Sequence, residues 1–219
     1  MVSIEKLLTL KSKIIRVLQR SLKRFLCEAF LFIKNKKAND IMKKEELKLI
    51  EPTLEYKEQV MEYRRAFLEN GDQLHGTARL EECEIYEEWL EFKERALERY
   101  GKNYVPSTIY LCIRVKDNKL VGITEFRHEL NEFLLQYGGH IGYSVHPNER
   151  KKGYAKEMLR LMLIKCKQYG KERVLVNCDK DNIASSKTMI ANGAVLENEV
   201  IDTVNLTKSG IIQRYWIKL

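Results

Sequence analysis

The chain has 219 residues, 44% of them hydrophobic and 32% charged, with a formal net charge of +8. That apolar share is enough to bury a sizeable core, which excludes a disordered chain. The longest apolar run, residues 25–33, is broken by Glu28 and falls well short of the roughly 18 residues that cross a bilayer, which excludes an integral membrane protein. Five cysteines with no CxxC pair argue against a zinc or thioredoxin-like site. With no secretory pattern at the start, they point to reduced thiols and a cytoplasmic setting.

The charge is concentrated at one end. Residues 1–44 hold 12 Lys and Arg against 3 acids, and the remainder 27 against 28. The balanced remainder gives no reason to expect nucleic acid as a partner of the domain. In the tail, Ile4, Leu7, Leu8, Ile14, Ile15, Leu18, Leu22, Phe25, Leu26, Phe30 and Ile33 recur at three- and four-residue steps with basic residues between them. This pattern predicts a basic amphipathic helical extension over 1–41. It could lie peripherally on an anionic membrane, dock on a partner protein, or pack on its own domain. Met42 is a plausible alternative initiator, and the domain is placed at 42–219.

Leu47 to Ile50 alternate as a strand, and Thr53 can cap a helix with Val60, Tyr63 and Phe67 on one face and an Asn70-Gly71 stop. A second helix is expected over 78–100, with Ile85, Trp89, Phe92 and Ala96 inward and eight glutamates from Glu81 to Glu98 on the solvated face. From Ser107 the period becomes two: Ile109, Leu111, Ile113 and Val115 share a side, and the turn 116–119 leads into a strand over 120–128, a β-hairpin. A strand over 140–145, a helix over 154–169 with Leu159, Met162 and Leu163 inward, and a strand over 173–178 imply a parallel crossover. A helix over 183–192 stops at Gly193, and two strands near 195–204 and 211–217 close the chain around the turn 207–210.

The chemistry concentrates in Tyr143-Ser144-Val145-His146-Pro147-Asn148-Glu149-Arg150-Lys151-Lys152-Gly153-Tyr154-Ala155, a strand leaving through Pro147 into a basic turn that opens a helix. Unpaired N–H groups and the helix dipole make such a start suited to a pyrophosphate; Gly153 lets backbone come close and Ala155 leaves room. The bland alternative is a solvated basic turn. The pattern is neither a Walker A loop nor a Rossmann fingerprint.

Arg150-x-x-Gly153-x-Ala155 resembles motif A of the GNAT superfamily of acyl-CoA-dependent N-acyltransferases. The preceding strand with V-x-P, the following helix and strand, and Asn182-Ile183-Ala184-Ser185 opening a helix that ends in Asn192-Gly193 extend the likeness over residues 45–219. Arg127 to Asn131 and Gly138 to Tyr143 are also similar to a subgroup of predicted acetyltransferases. The resemblance implies an α/β fold with a mixed, mainly antiparallel central sheet, a parallel strand pair at the CoA site and helices on both faces. It implies acetyl-CoA as co-substrate and no metal. The strand ending at Val145 would splay from the next strand, so that Ser144 and Val145 lie along pantetheine, with Arg150, Lys151, Lys152, Gly153, Tyr154 and Ala155 at the pyrophosphate, and Asn182 and Ser185 at the pantetheine or adenosine side. Helix capping explains Asn182 and Ser185 equally well.

The activity implied is transfer of an acetyl group to a primary amine of a small molecule or peptide by direct attack. A lysine-like amine is roughly 4–5 kcal/mol from its neutral form at pH 7, so a base must assist. Candidates are Glu125 and His128 near the end of the second hairpin strand, and His140. Alternation puts Glu125 and His128 on opposite faces. At the position where the family's general acid, a tyrosine, is expected, seven residues after Asn182, stands Met189; Tyr143 or Tyr215 could substitute. His75 and His146 fall on loops with no supporting pattern, and Cys112, Cys166 and Cys178 read as core. A CoA-binding module without turnover is the competing reading, motivated by Met189.

Overall fold

The computed structural model describes residues 47–91 and 105–219. The expected amphipathic tail and the inward positions Phe92 and Ala96 lie outside the described residues.

Four strands form one antiparallel sheet in the order β1 (Leu47–Ile50), β2 (Ser107–Arg114), β3 (Lys119–Arg127) and β4 (Ile141–Val145). A second antiparallel sheet has β7 (Ile211–Lys218) between β5 (Arg173–Asp179) and β6 (Val195–Ile201). The hairpin register runs from Ser107 opposite Arg127 to Arg114 opposite Lys119, with a bulge at Cys112 and Ile113. Asn118 takes the left-handed turn conformation, at φ 51°.

One face of the first sheet is covered by α1 (Lys57–Glu69), entered through a 3-10 turn at Leu54–Tyr56. Val60, Tyr63 and Phe67 fall one above another at helical spacing and bury against Ile109, Leu111, Ile113 and Ile123. Full burial of each such apolar side chain is worth roughly 1.5–3 kcal/mol, and this repeated pairing fixes the helix on the sheet. The opposite face carries α3 (Tyr154–Gln168), whose Met158, Leu159, Met162 and Cys166 are buried. It shares a core with Phe126, Ile141, Val174, Val176 and Met189, the last from α4 (Ile183–Ile190). Cys112, Cys166 and Cys178 are buried as expected.

Two features depart from the sequence reading. The second helix does not start at Ala78: Ala78 and Arg79 are left-handed, a 3-10 turn follows at Leu80–Glu82, and the described helix α2 is Tyr86–Leu90. The buried positions are accordingly Leu80, Cys83, Tyr86 and Trp89, while Ile85 is exposed. Leu134–Gly138 form a π-helical turn where no element was expected. As the family resemblance implies, β4 and β5 splay apart and share no ladder. The sheets meet at one antiparallel bridge, Gly139 to Val176, just before β4, with the His140 N–H donating to the Leu175 carbonyl at 2.7 Å. The imidazole of His140 accepts from the Leu175 N–H at 2.9 Å, so this histidine staples the two sheets.

Candidate functional site

Beyond that staple, β4 has one bonded edge and one open edge. The Arg127 N–H donates to the His140 carbonyl and the His146 N–H to the Val121 carbonyl, which fixes the phase of the ladder to β3. Alternation then turns the N–H and C=O of Ile141, Tyr143 and Val145 toward β5, where no ladder among the described residues receives them. A strand edge of this kind pairs with an extended chain bearing amides, as pantetheine does.

The same strand leads into the basic turn. A 3-10 turn at Pro147–Glu149 is followed by left-handed Lys151 (φ 63°) and Gly153 (φ 86°), and α3 starts at Tyr154. The first N–H groups of α3 have no intrahelical partner, and with the helix dipole they form a seat for an anion. The turn is held from below by Glu149. Its buried carboxylate accepts from Arg114 Nη1, Lys119 Nζ and Lys152 Nζ, each at 2.8 Å. Burial alone would push this carboxyl up, but those donors outweigh it and hold it at about 2. Lys152 is therefore partly committed to Glu149, and Arg150 is paired with Asp72 at 2.6 Å, lies over the Phe67 ring and donates Nε to the Val145 carbonyl. Lys151 is exposed, and no ion pair is seen for it among the described residues.

The remaining expected residues divide between this site and the scaffold. The Ser144 side chain accepts from the Tyr63 hydroxyl on the α1 face, and its backbone bonds β3, so neither faces the open edge. Tyr154 is buried with its hydroxyl on Arg114, while Ala155 is partly exposed in the first helical turn. The Asn182 side chain caps α4 by accepting from the Ser185 N–H at 3.0 Å. The Tyr143 hydroxyl meets the Ser185 hydroxyl at 2.9 Å, and burial raises its pKa. Met189 is fully buried, so this helix position sends no side chain to the open edge. Tyr215 is buried with its hydroxyl on Gln213.

Of the expected bases, Glu125 and His128 do face opposite sides. His128 lies against Phe126 and Tyr169, at the C-terminal end of α3, roughly 22 Å of helix from Gly153. Its Nε2 meets Thr108 at 2.9 Å and its Nδ1 meets the Tyr169 hydroxyl at 3.1 Å. With both ring nitrogens engaged far from the turn, His128 is placed as an anchor. Glu125 is on the α1 face but is tied to Arg127 at 2.8 Å, and Arg127 also donates to the Gly139 carbonyl. Burial, then the Lys171 charge, lowers the pKa of His140 to about 4, which leaves it a neutral staple.

Sequence reasoning missed a group of residues on the α1 face beside the open edge. The loop after α1 crosses β4: a Cβ on Gly76 would collide with the Gly142 carbonyl and the Tyr143 nitrogen, and one on Gly142 would lie 2.8 Å from the Gly76 Cα. This contact brings His75 beside β4, near Arg127 and Asp179. Asp179, at the end of β5, accepts from the N–H groups of Asp181 and Lys208 and from the Ser209 hydroxyl. On the same face of β5, both side-chain polar atoms of Asn177 are buried and have no partner among the described residues, and the same holds for Arg214 Nε on the neighbouring strand. Only the glycine at position 76 offered a sequence signal, and it has no periodic context.

An open strand edge running into a helix N-terminus is suited to an extended ligand that ends in an anionic group. A family model described as the acetyltransferase (GNAT) domain matches residues 46–195, and the chain belongs to this family. No curated protein sequence matches the chain. Solved structures with the same fold include the microcin C7 self-immunity acetyltransferase MccE in complex with acetyl-CoA and AMP, at 19% identity and TM-score 0.57, covering 80% of this chain and 93% of that one. The ribosomal L7/L12 α-N-protein acetyltransferase RimL in complex with coenzyme A aligns at 17% identity and TM-score 0.59, over 79% and 94%. RimJ of Mycobacterium smegmatis aligns at 15% and 0.59, over 78% and 81%. No helix among the described residues is long and apolar enough to cross a membrane.

Proposed function

We propose that the protein transfers the acetyl group of acetyl-CoA directly to a primary amine of a small molecule or peptide. The observation that carries this reading is the open edge of β4 ending in the left-handed turn at α3. The N–H groups from Lys151 to Ala155, with Lys151 and the partly committed Arg150 and Lys152, hold the pyrophosphate. Pantetheine extends along the edge at Tyr143 and Val145, with Asn182 and Ser185 shaping the far wall through the start of α4. The strand N–H groups at that edge polarise the thioester carbonyl as charge develops on its oxygen. In this reading Tyr143, whose hydroxyl meets that of Ser185, protonates the departing thiolate. The neighbours named for protein α-amino acetylation and for microcin self-immunity support an amine acceptor without selecting one.

The test is calorimetric titration with acetyl-CoA, followed by thiol release on adding polyamines, amino acids, aminoglycosides and N-terminal peptides. Binding with release establishes transfer. Binding with no release for any amine favours a CoA-binding module, the reading to which buried Met189 gives a specific basis. No binding removes both.

A further inference from the structure

We propose that His75 takes the proton from the acceptor's ammonium group at the mouth between β4 and β5; this rests on the acetyl-transfer reading above. Of the described histidines, three spend their rings on structure. His128 bonds Thr108 and Tyr169. His140 accepts from the Leu175 N–H. His146 accepts from the Asn148 N–H and pairs with Glu62. His75 is different: among the described residues no hydrogen bond to its ring is seen, and the residue stays exposed to solvent.

Its backbone, by contrast, is held on every side. Leu74 is buried, and the Thr77 hydroxyl donates back to the Leu74 carbonyl. The indole N–H of Trp89 donates to the Thr77 carbonyl at 2.7 Å, Gly76 presses on Gly142, and Asp72 is fixed by Arg150. An unengaged imidazole on a fixed loop beside the open edge is placed for proton transfer, not for holding the fold. The charged groups facing this loop are Arg127 with its partner Glu125 from β3, Asp179 from β5, Arg150 paired to Asp72, and Lys208, whose charge reaches Asp72. Desolvation by the surrounding loop, then the Arg127 charge, lowers the His75 pKa, although one side of the residue meets solvent, and Asp179 opposes them. The ring is thus neutral and able to accept at pH 7, while Asp179 offsets part of the charge it gains.

In the step, R–NH3+ gives one proton to a His75 ring nitrogen. The freed amine attacks the thioester carbonyl, forming the C–N bond, and the C–S bond breaks with its electron pair leaving on sulfur. The second amine proton ends on the thiolate, giving CoA-SH, and His75 returns its proton to solvent. The sum is one acetyl amide, one thiol and one H+.

The experiment compares wild type, H75Q, H75N and H75A in thiol release from acetyl-CoA across the amine panel, with acetyl-CoA affinity and thermal unfolding measured on each. The expected result is a loss of about 100-fold in kcat/KM at pH 7, the usual scale for a proton-transfer group. Affinity for acetyl-CoA and the unfolding midpoint stay at wild-type values. In wild type the rate falls below pH 6.5 as the imidazole is protonated; in H75Q that limb disappears, and added imidazole restores rate to H75A. A rate within threefold of wild type in H75Q, an unchanged acid limb, or no rescue of H75A overturns the assignment alone. Wild-type protein that binds acetyl-CoA and releases no thiol with any amine overturns the transfer reading and this assignment with it.

Discussion

Two sets of buried polar groups are treated in opposite ways. Behind the basic turn, the Glu149 carboxylate receives Arg114, Lys119 and Lys152, and Arg114 is further held by Asp117 and the Tyr154 hydroxyl. On the α1 face of β5 and β7, the Asn177 amide has no partner at either atom among the described residues, and neither does Arg214 Nε. The first arrangement is what a fold needs to hold a loop in one conformation. The second costs stability, since an unsatisfied buried amide is worth roughly 1–3 kcal/mol against the fold, and such a cost persists where the groups meet a ligand. The turn is thus held in one conformation, while the neighbouring face of β5 and β7 keeps unspent polar capacity, which on the proposed function would serve the acceptor.

The largest test of this contrast is Glu149→Gln. It keeps shape but leaves Arg114 buried beside a neutral amide, and should destabilise by about 3 kcal/mol in denaturant unfolding, at the lower end for a broken buried pair. Because the folded carboxyl sits at about 2, below the ordinary 4.5, its contribution is present above pH 4.5 and is lost as pH falls toward 2. The variant should therefore match wild type at pH 2 and trail it at pH 7. A cost under 1 kcal/mol at pH 7 would mean the network does not hold the turn.

His140 gives a second titration of the same kind. Its folded pKa of about 4 lies below the ordinary 6.5, so the neutral staple contributes fully above pH 6.5 and loses its contribution as pH falls toward 4. The swing is at most about 3 kcal/mol. His140→Gln should flatten the stability profile between pH 6.5 and 4. An unchanged profile would show that the staple is solvated.

Gly153→Glu addresses the turn as a binding element. Its positive φ disfavours any side chain by roughly 1–2 kcal/mol, and the new carboxylate faces the anion seat. Acetyl-CoA affinity should fall at least 100-fold by calorimetry with the domain still folded. Gly153→Ala separates the two causes, since it carries the strain without the charge and should lose much less affinity.

What the sequence made legible follows from locality. The hairpin, α3, the αL stops and the cap at Asn182 are set by neighbours within a few positions, and periodicity or capping chemistry reads them directly. The turn was legible as a motif, but the share of its charge already spent on Asp72 and Glu149 was not, because those partners are supplied by the α1 loop and by the buried end of the turn itself. The break at Ala78 and Arg79 was hidden for a related reason. Both residues favour helix locally, and the left-handed turn is imposed by burial of Leu80 and by the Trp89 bond to Thr77. His75 became a candidate through Gly76 meeting Gly142, a contact 66 positions apart that no spacing rule anticipates.

The smallest predicted effect on stability is the sharpest on the contrast itself. Asn177→Leu removes two unpartnered polar atoms and keeps the number of side-chain heavy atoms and the branch at Cγ, so the folded state should be unchanged or gain up to about 1 kcal/mol. A substitution of polar by apolar in a buried strand otherwise destabilises when hydrogen bonds are lost, so a neutral or stabilising result reports that the amide had none to lose. The same variant should raise the KM for the acceptor while leaving acetyl-CoA affinity alone, because the open edge of β4 and the turn are untouched. Destabilisation by more than 1 kcal/mol would instead show that the Asn177 amide is satisfied in the free protein. That face of β5 would then be part of the scaffold, as the Glu149 network is, and the specificity for the amine would have to come from the loop carrying His75.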